Sequence, residues 1–139
     1  MTADPNCIFC KIVAGSIPCF KLYEDAETLA FMDINPANDG HCLVVPKGHF
    51  PTVYAISEAA FAATSRTAIK LARAVNQALT PDGINLLQAN GPGAAQSVFH
   101  LHIHVLPRRQ NDGLLLNWTP KPGDRARIAE LAERIKQAL

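Results

Sequence analysis

The chain has 139 residues, enough for one ordinary domain that buries roughly 70% of the surface its unfolded form would expose. Hydrophobic residues make up 48% and charged residues 18%, below the ~25% charged content usual in globular domains, which excludes a disordered chain and leaves room for an interface. A formal net charge of +1 on scattered Lys and Arg offers no basic stripe for polymeric nucleic acid, and no apolar run approaches the ~20 residues of a membrane helix.

In chain order, Met1 to Asn6 are polar and carry no positive n-region of a secretory signal, so a soluble cytoplasmic protein is expected. Residues 7 to 15 predict a short helical turn stopped by Gly15. Phe20 to Glu24 and Thr28 to Ile34 predict paired strands about Asp25. Asn35-Pro36 ends the second, because the residue before proline is restricted and proline cannot donate to a ladder. His41 to Val45 is a third strand that stops at Pro46-Lys47-Gly48. From Ser57, the expected N-cap, the apolar period lengthens to about 3.6: Phe61, Ala68, Leu71, Ala72, Val75 and Leu79 share a face flanked by Ile69. Pro81-Asp82-Gly83 ends that long helix. Ile84 to Gln88 is a fourth strand, Asn90 to Ala95 a loop, and Val98 to Leu106 an alternating fifth strand. A last helix from about Asp124 aligns Ile128, Leu131, Ile135 and Leu139. Strands on both sides of one central helix, joined by short turns, predict an α+β domain with a mostly antiparallel five-stranded sheet, and no linker divides the chain.

All five histidines fall between residues 41 and 104, and three alternate in His100-Leu101-His102-Ile103-His104. Residues two apart on a strand share a face, so three imidazoles line one side while Leu101, Ile103 and Val105 pack on the other. A lone histidine there is more often a half-exposed strand residue. Three on one face point to use, because strands seldom carry three titratable rings together.

Those residues resemble the histidine triad (HIT) signature at every position from His100 to Leu106. The likeness extends through Cys7-Ile8-Phe9-Cys10-Lys11-Ile12, Asp33-Ile34-Asn35-Pro36, Gly40 to Lys47, Gln96-Ser97 and Pro107-Arg108. It implies a HIT-like fold over residues 1–139, with a C-terminal helical extension from about 115 to 139. It also implies attack by the middle histidine, His102, on the α-phosphate of a nucleotide, through a nucleotidyl-histidine intermediate. Neutral imidazole suits that task, since a phosphorus flanked by anionic oxygens repels anionic nucleophiles. The His100 carbonyl is the candidate to hold the other ring nitrogen of His102 and leave Nε2 bare.

By the same resemblance His41 and His104 contact phosphate oxygens, and Ser97 or Gln96 donates to the bridging or leaving atom. Asp33 and Ile34 stand where relatives hold the ribose hydroxyls and the base, and Asn90 near the phosphate. A carboxylate accepts two hydroxyl bonds from a ribose diol; the plainer role for Asp33 is capping the turn before Asn35-Pro36. Ala95 occupies a position where many relatives have glycine, so a positive φ there would strain it.

Cys7-x-x-Cys10 alone fits a redox motif, a metal site or two buried thiols. The resemblance implies a structural Zn²⁺ held by Cys7, Cys10, His49 and His100, a sulfur and nitrogen set that suits a closed tetrahedral site. Cys19 and Cys42 are expected to be small buried residues.

The functional expectation is a hydrolase or transferase acting on a purine nucleoside phosphoramidate, as in the Hint-like branch, and assembling as a homodimer. The extension with Trp118 departs from that branch's short ending. A dinucleoside polyphosphate hydrolase would use the same His102. From other classes come a nucleotide-binding adaptor with little turnover, which needs no nucleophile, and a thiol-disulfide exchanger, for which the strand before the Cys pair is missing.

Overall fold

The computed structural model describes residues 1–115 and 118–139; residues 116 and 117 of the expected extension lie outside the described residues. Five strands form one antiparallel sheet, β1 (Lys21–Glu24), β2 (Thr28–Met32), β3 (Cys42–Pro46), β4 (Gly83–Leu87) and β5 (Ile103–Arg108), in the order β1-β2-β3-β5-β4. Helix α1 (Ile8–Val13) covers one face, and the long α2 (Glu58–Leu79) covers the other. This is the expected α+β architecture, with α3 (Arg125–Lys136) as the C-terminal helix.

The layers follow from the alternation of residues along the strands. Ala30, Cys42, Val44, Ile103 and Val105 turn toward α2 and pack on Ala68, Leu71 and Val75. Leu29, Phe31, Leu43 and Val45 turn the other way, onto Cys7, Phe9 and Cys10 of the α1 segment. The odd-numbered residues of β5 therefore anchor in the larger core, and its even-numbered neighbours His102 and His104 belong to the α1 side. Ser57 caps α2 as expected, accepting the Ala60 amide at 3.2 Å.

Three expectations shift. The fifth strand begins at Ile103 rather than Val98, because continuing the β3 register past Val44↔Ile103 would bring Leu101 opposite Pro46, which has no N–H. The Leu101 amide bonds to the Phe50 carbonyl instead, and the His100 ring bonds to the Pro46 carbonyl at 2.8 Å. The second strand ends at Met32, two residues early, where the Asp33 carboxylate accepts the Asn35 amide and starts the turn. On α2 the buried stripe includes Thr64 and Thr67, whose hydroxyls bond to the Ala60 carbonyl and to Thr28, whereas Ile69 and Leu79 are exposed.

Asp124 caps α3 through the Ala126 and Arg127 amides, and Ile128, Leu131 and Ile135 do form a stripe. Among the described residues α3 buries none of its side chains.

Candidate active site and metal centre

A cavity of about 340 Å³ opens between α1, the β2–β3 turn and the segment before β5. Ile8, Phe9, Ile12, Phe31, Leu43 and Val98 give it apolar walls; Asp33, Ser97, His102 and His104 give it polar ones. A larger depression of about 450 Å³ beside α3 is lined by Pro122, Gly123, Arg125, Ile128 and Ala129, and it brings no nucleophile or carboxylate together.

The nucleophile candidate is held rigidly. His102 Nδ1 lies 2.7 Å from the His100 carbonyl, an acceptor, so Nδ1 bears the proton and Nε2 carries the lone pair. Phe9 meets the His102 ring edge-on, with centroids 5.2 Å apart and planes at 86°, and also flanks His100. Burial lowers the His102 pKa, opposed by its bond to the His100 carbonyl and by the Asp33 charge. The ring is thus unprotonated at neutral pH, as a nucleophile must be.

His104 shares the cavity wall, its ring 4.8 Å from that of His102. His41 is 6% exposed and does not line the cavity; it lies behind His104, with Nε2 2.8 Å from His104 Nδ1 and 3.6 Å from Asp33 Oδ2. Burial first, then the neighbouring His102 and His41, pushes His104 down to about 4, and burial lowers His41 as well. Two histidines that stay neutral when folded and protonate when unfolded make stability depend on acid. Between about pH 6.5 and 4 the unfolded chain binds more protons, so stability rises with pH there and is lost as pH falls. The melting temperature should drop through this window, beginning above pH 5 where carboxylates have not yet begun to titrate; a flat profile from pH 7 to 5 would contradict the burial of neutral imidazoles.

Asp33 serves the turn and the cavity together. Oδ1 accepts the Asn35 amide at 2.8 Å, while Oδ2 faces His41. Ile34, 75% exposed, edges the same cavity. Ser97 is exposed at the rim. Gln96 is not on the wall: its Oε1 accepts the Gly91 amide and its Nε2 donates to the Pro51 and Val98 carbonyls, so its amide is committed to holding the loop. Asn90 likewise pairs with Gln88 and accepts the Val53 amide, away from the cavity wall. Neither residue is brought into the cavity with His102.

The loop between them contains Ala95 at φ 61°, closing a 3₁₀ turn over Pro92–Ala94. The positive φ anticipated at this position is present. A left-handed backbone costs an L-residue roughly 1–2 kcal/mol, and glycine's added unfolded-state freedom offsets about half of that. Ala95→Gly should therefore stabilise by about 1 kcal/mol, a rise of roughly 3 °C in Tm. An unchanged or lower Tm would show that the loop carries no such strain.

A second cluster lies behind His102. Cys7, Cys10, His49 and His100 place one ligand atom each within 4.8 Å of one another. His100 donates Nε2–H to the Pro46 carbonyl, which leaves Nδ1 bare, 3.5 Å from Cys7 Sγ and 3.6 Å from Cys10 Sγ. His49 Nδ1 is 3.4 Å from Cys10 Sγ. Sulfur at ~2.3 Å and nitrogen at ~2.0 Å from a tetrahedral zinc stand about 3.5 Å apart, so all three spacings fit. The Asp4 amide donates to Cys10 Sγ and the Cys10 amide to Cys7 Sγ, as suits thiolates. Burial raises the Cys10 thiol, an effect that a bound cation would reverse.

Some features were missed in the sequence. Phe9 lies between the two cysteines but gave no sign that it flanks the nucleophile. Cys19 is half-buried and lines the cavity rather than being buried; Cys42 is buried as expected, and burial pushes its thiol up to about 11. The described residues contain no helix long and apolar enough to cross a membrane.

The model of the HIT domain matches residues 14–111. Protein hit of Bacillus subtilis is 43% identical over 125 residues, covering 89% of this chain and 86% of that protein. An adenosine 5'-monophosphoramidase of Schizosaccharomyces pombe is 40% identical over 135 residues, covering 96% of this chain and 98% of its own. The crystal structure of a Zn-bound histidine triad family protein from Mycobacterium smegmatis superposes with a TM-score of 0.75 at 36% identity, covering 93% of this chain and 97% of that one. Cys7, Cys10 and α3 lie outside the range that the domain model matches.

Proposed function

This chain belongs to the HIT domain family of hydrolases, and on that premise we propose that it is a nucleotide hydrolase or transferase acting at the α-phosphate through a nucleotidyl-His102 intermediate. The observation that carries the reading is the His102 tautomer: Nδ1–H is held by the His100 carbonyl, which leaves the Nε2 lone pair for the substrate.

In this account the substrate is a purine nucleoside phosphoramidate. Its α-phosphate sits against His102 and His104, its ribose against Asp33, and its base between the apolar walls near Ile34. Nε2 forms a bond to phosphorus as the P–N bond breaks, and the amine takes a proton from solvent while the Ser97 hydroxyl hydrogen-bonds to it. Water then adds to phosphorus as the Nε2–P bond breaks and loses a proton to solvent, giving the nucleoside monophosphate and returning His102. The phosphoramidase activity named for the S. pombe relative supports this choice of leaving group. A dinucleoside polyphosphate hydrolase would differ only in the bond broken, and a nucleotide-binding adaptor would have no use for the bare Nε2.

A turnover panel of phosphoramidates and dinucleoside polyphosphates with each nucleobase tests the assignment. Faster turnover of phosphoramidates is expected; faster anhydride cleavage would reverse it. In the same panel Asp33→Ala should weaken ribonucleotides about tenfold or more and 2'- and 3'-deoxy analogues far less, because each of those has already lost one of the two hydroxyls a diol clamp holds. Equal losses would remove Asp33 from the ribose.

We assign Zn²⁺ to the Cys7, Cys10, His49 and His100 cluster as a structural ion, supported by the ligand spacings and by the zinc-bound M. smegmatis relative. Cysteines that hold a metal rather than pair in a disulfide would suit a reducing cytoplasm. A homodimer joined edge to edge is supported by β4, an edge strand whose Leu86 stands exposed near Ile69 of α2.

A further inference from the structure

We propose that His41 is a positioning residue that acts through His104: the Ala37 amide holds His41 in the Nε2–H tautomer, and His41 in turn presents His104 to the substrate as an Nε2–H donor. The Ala37 N–H lies 3.0 Å from His41 Nδ1. An amide nitrogen only donates, so Nδ1 carries the lone pair and the proton of neutral His41 is on Nε2. That N–H lies 2.8 Å from His104 Nδ1, nearer than the 3.6 Å to Asp33 Oδ2. His104 Nδ1 accepts, and its own proton is on Nε2.

The direction of this relay is fixed by backbone geometry. Asn38 donates to the Pro107 carbonyl and to Asp112, which is itself held by Arg108. The His41 amide bonds back to the Asn38 carbonyl, and the Asp33 amide to the His41 carbonyl. Gly40, at φ 87°, lets the turn pass against Leu79 and Pro107, where a Cβ would collide with the Leu79 side chain. Burial keeps both rings neutral at pH 7, so each has one proton to place.

The consequence is two opposite tautomers, two residues apart, on one cavity wall. His102 offers a lone pair to phosphorus, and His104 offers an N–H to a non-bridging oxygen. Phosphate oxygens only accept, so a His104 in the other tautomer would set a lone pair against anionic oxygen. A preorganised donor of this kind is worth on the order of 10²-fold in rate. His41 thus contributes without touching the phosphate.

Long-range ¹H–¹⁵N spectra of the zinc-loaded, full-length, ¹⁵N-histidine protein test the wiring with no variant and no substrate. The expected result is Nε2–H at His41 and His104 and Nδ1–H at His102; Nδ1–H at His104 would overturn the proposal. His41→Leu, which removes the donor, should mix the His104 tautomers and lower kcat about 10²-fold, with a smaller change in KM. His41→Gln, whose amide can place N–H near the lost Nε2–H, should restore at least tenfold of that loss. Equal losses in both variants with the His104 tautomer unchanged would reduce His41 to packing. The kinetic arm rests on the phosphoryl-transfer reading; the spectra do not, so failure of one is distinguishable from failure of the other.

Discussion

Replacing His102 with asparagine or alanine is expected to lower turnover on the order of 10³-fold or more while nucleotide binding survives. In the proposed mechanism the lone pair on Nε2 attacks phosphorus, and none of the other imidazoles is placed to substitute for it. With its Nδ1 accepting from His41, His104 would offer a substrate its proton rather than a lone pair; His41 is off the cavity wall, and His49 and His100 are turned toward the cysteines, His100 with its Nε2–H on the Pro46 carbonyl. The cavity's apolar walls and Asp33 remain in the variants, so affinity should change far less than rate. Both should be measured, turnover by product release and affinity by calorimetry with a nucleoside monophosphate. Near-normal turnover in the variants would assign the attack to another group.

Removing the metal should have the second largest effect. Cys7 caps α1 with its own Sγ, which accepts the Cys10 amide, so the cluster is also the start of that helix. Its four residues come from the α1 segment, the segment after β3 and the segment before β5, so an ion held there would join them only in the folded chain. Binding free energy is then folding free energy. A free-metal concentration ~1,000-fold above Kd contributes ~4 kcal/mol, and at roughly 3 °C per kcal/mol the Tm should fall on the order of 10 °C on chelation. Cys7→Ser with Cys10→Ser should show the same fall and no further loss on chelation. Elemental analysis of untagged protein should find about one zinc per chain. Zinc well below one equivalent with an unchanged Tm in the double variant would remove the ion from this account.

The triad strand shows how far local pattern carries. Alternation through His100 to His104 correctly put Ile103 and Val105 in the α2 core and the histidines opposite. It could not place the strand's start, which depends on Pro46, distant in sequence, having no N–H to offer. The same limit applies to the amides of Asn90 and Gln96, whose partners are the Val53 amide and the Pro51 carbonyl across a loop. Ala95 was different, because a small residue at a position where relatives have glycine already raised the question of φ. The four candidate metal ligands became legible only through family likeness, since Cys7 and Cys10 admit several chemistries until His49 and His100 are seen to converge on them. The α3 stripe was read correctly as a pattern, and its apolar side chains are solvent-exposed among the described residues.

A covalent nucleotidyl-His102 intermediate is the most direct mark of His102 as the nucleophile. Protein mixed with an adenosine phosphoramidate, quenched within one turnover and digested under conditions that preserve P–N bonds, should give a peptide spanning His100 to Arg108 with one added nucleoside monophosphate, localised by fragmentation to His102 and absent from His102→Asn. An adduct on another residue, or turnover with no adduct at any quench time, would contradict His102 as the nucleophile.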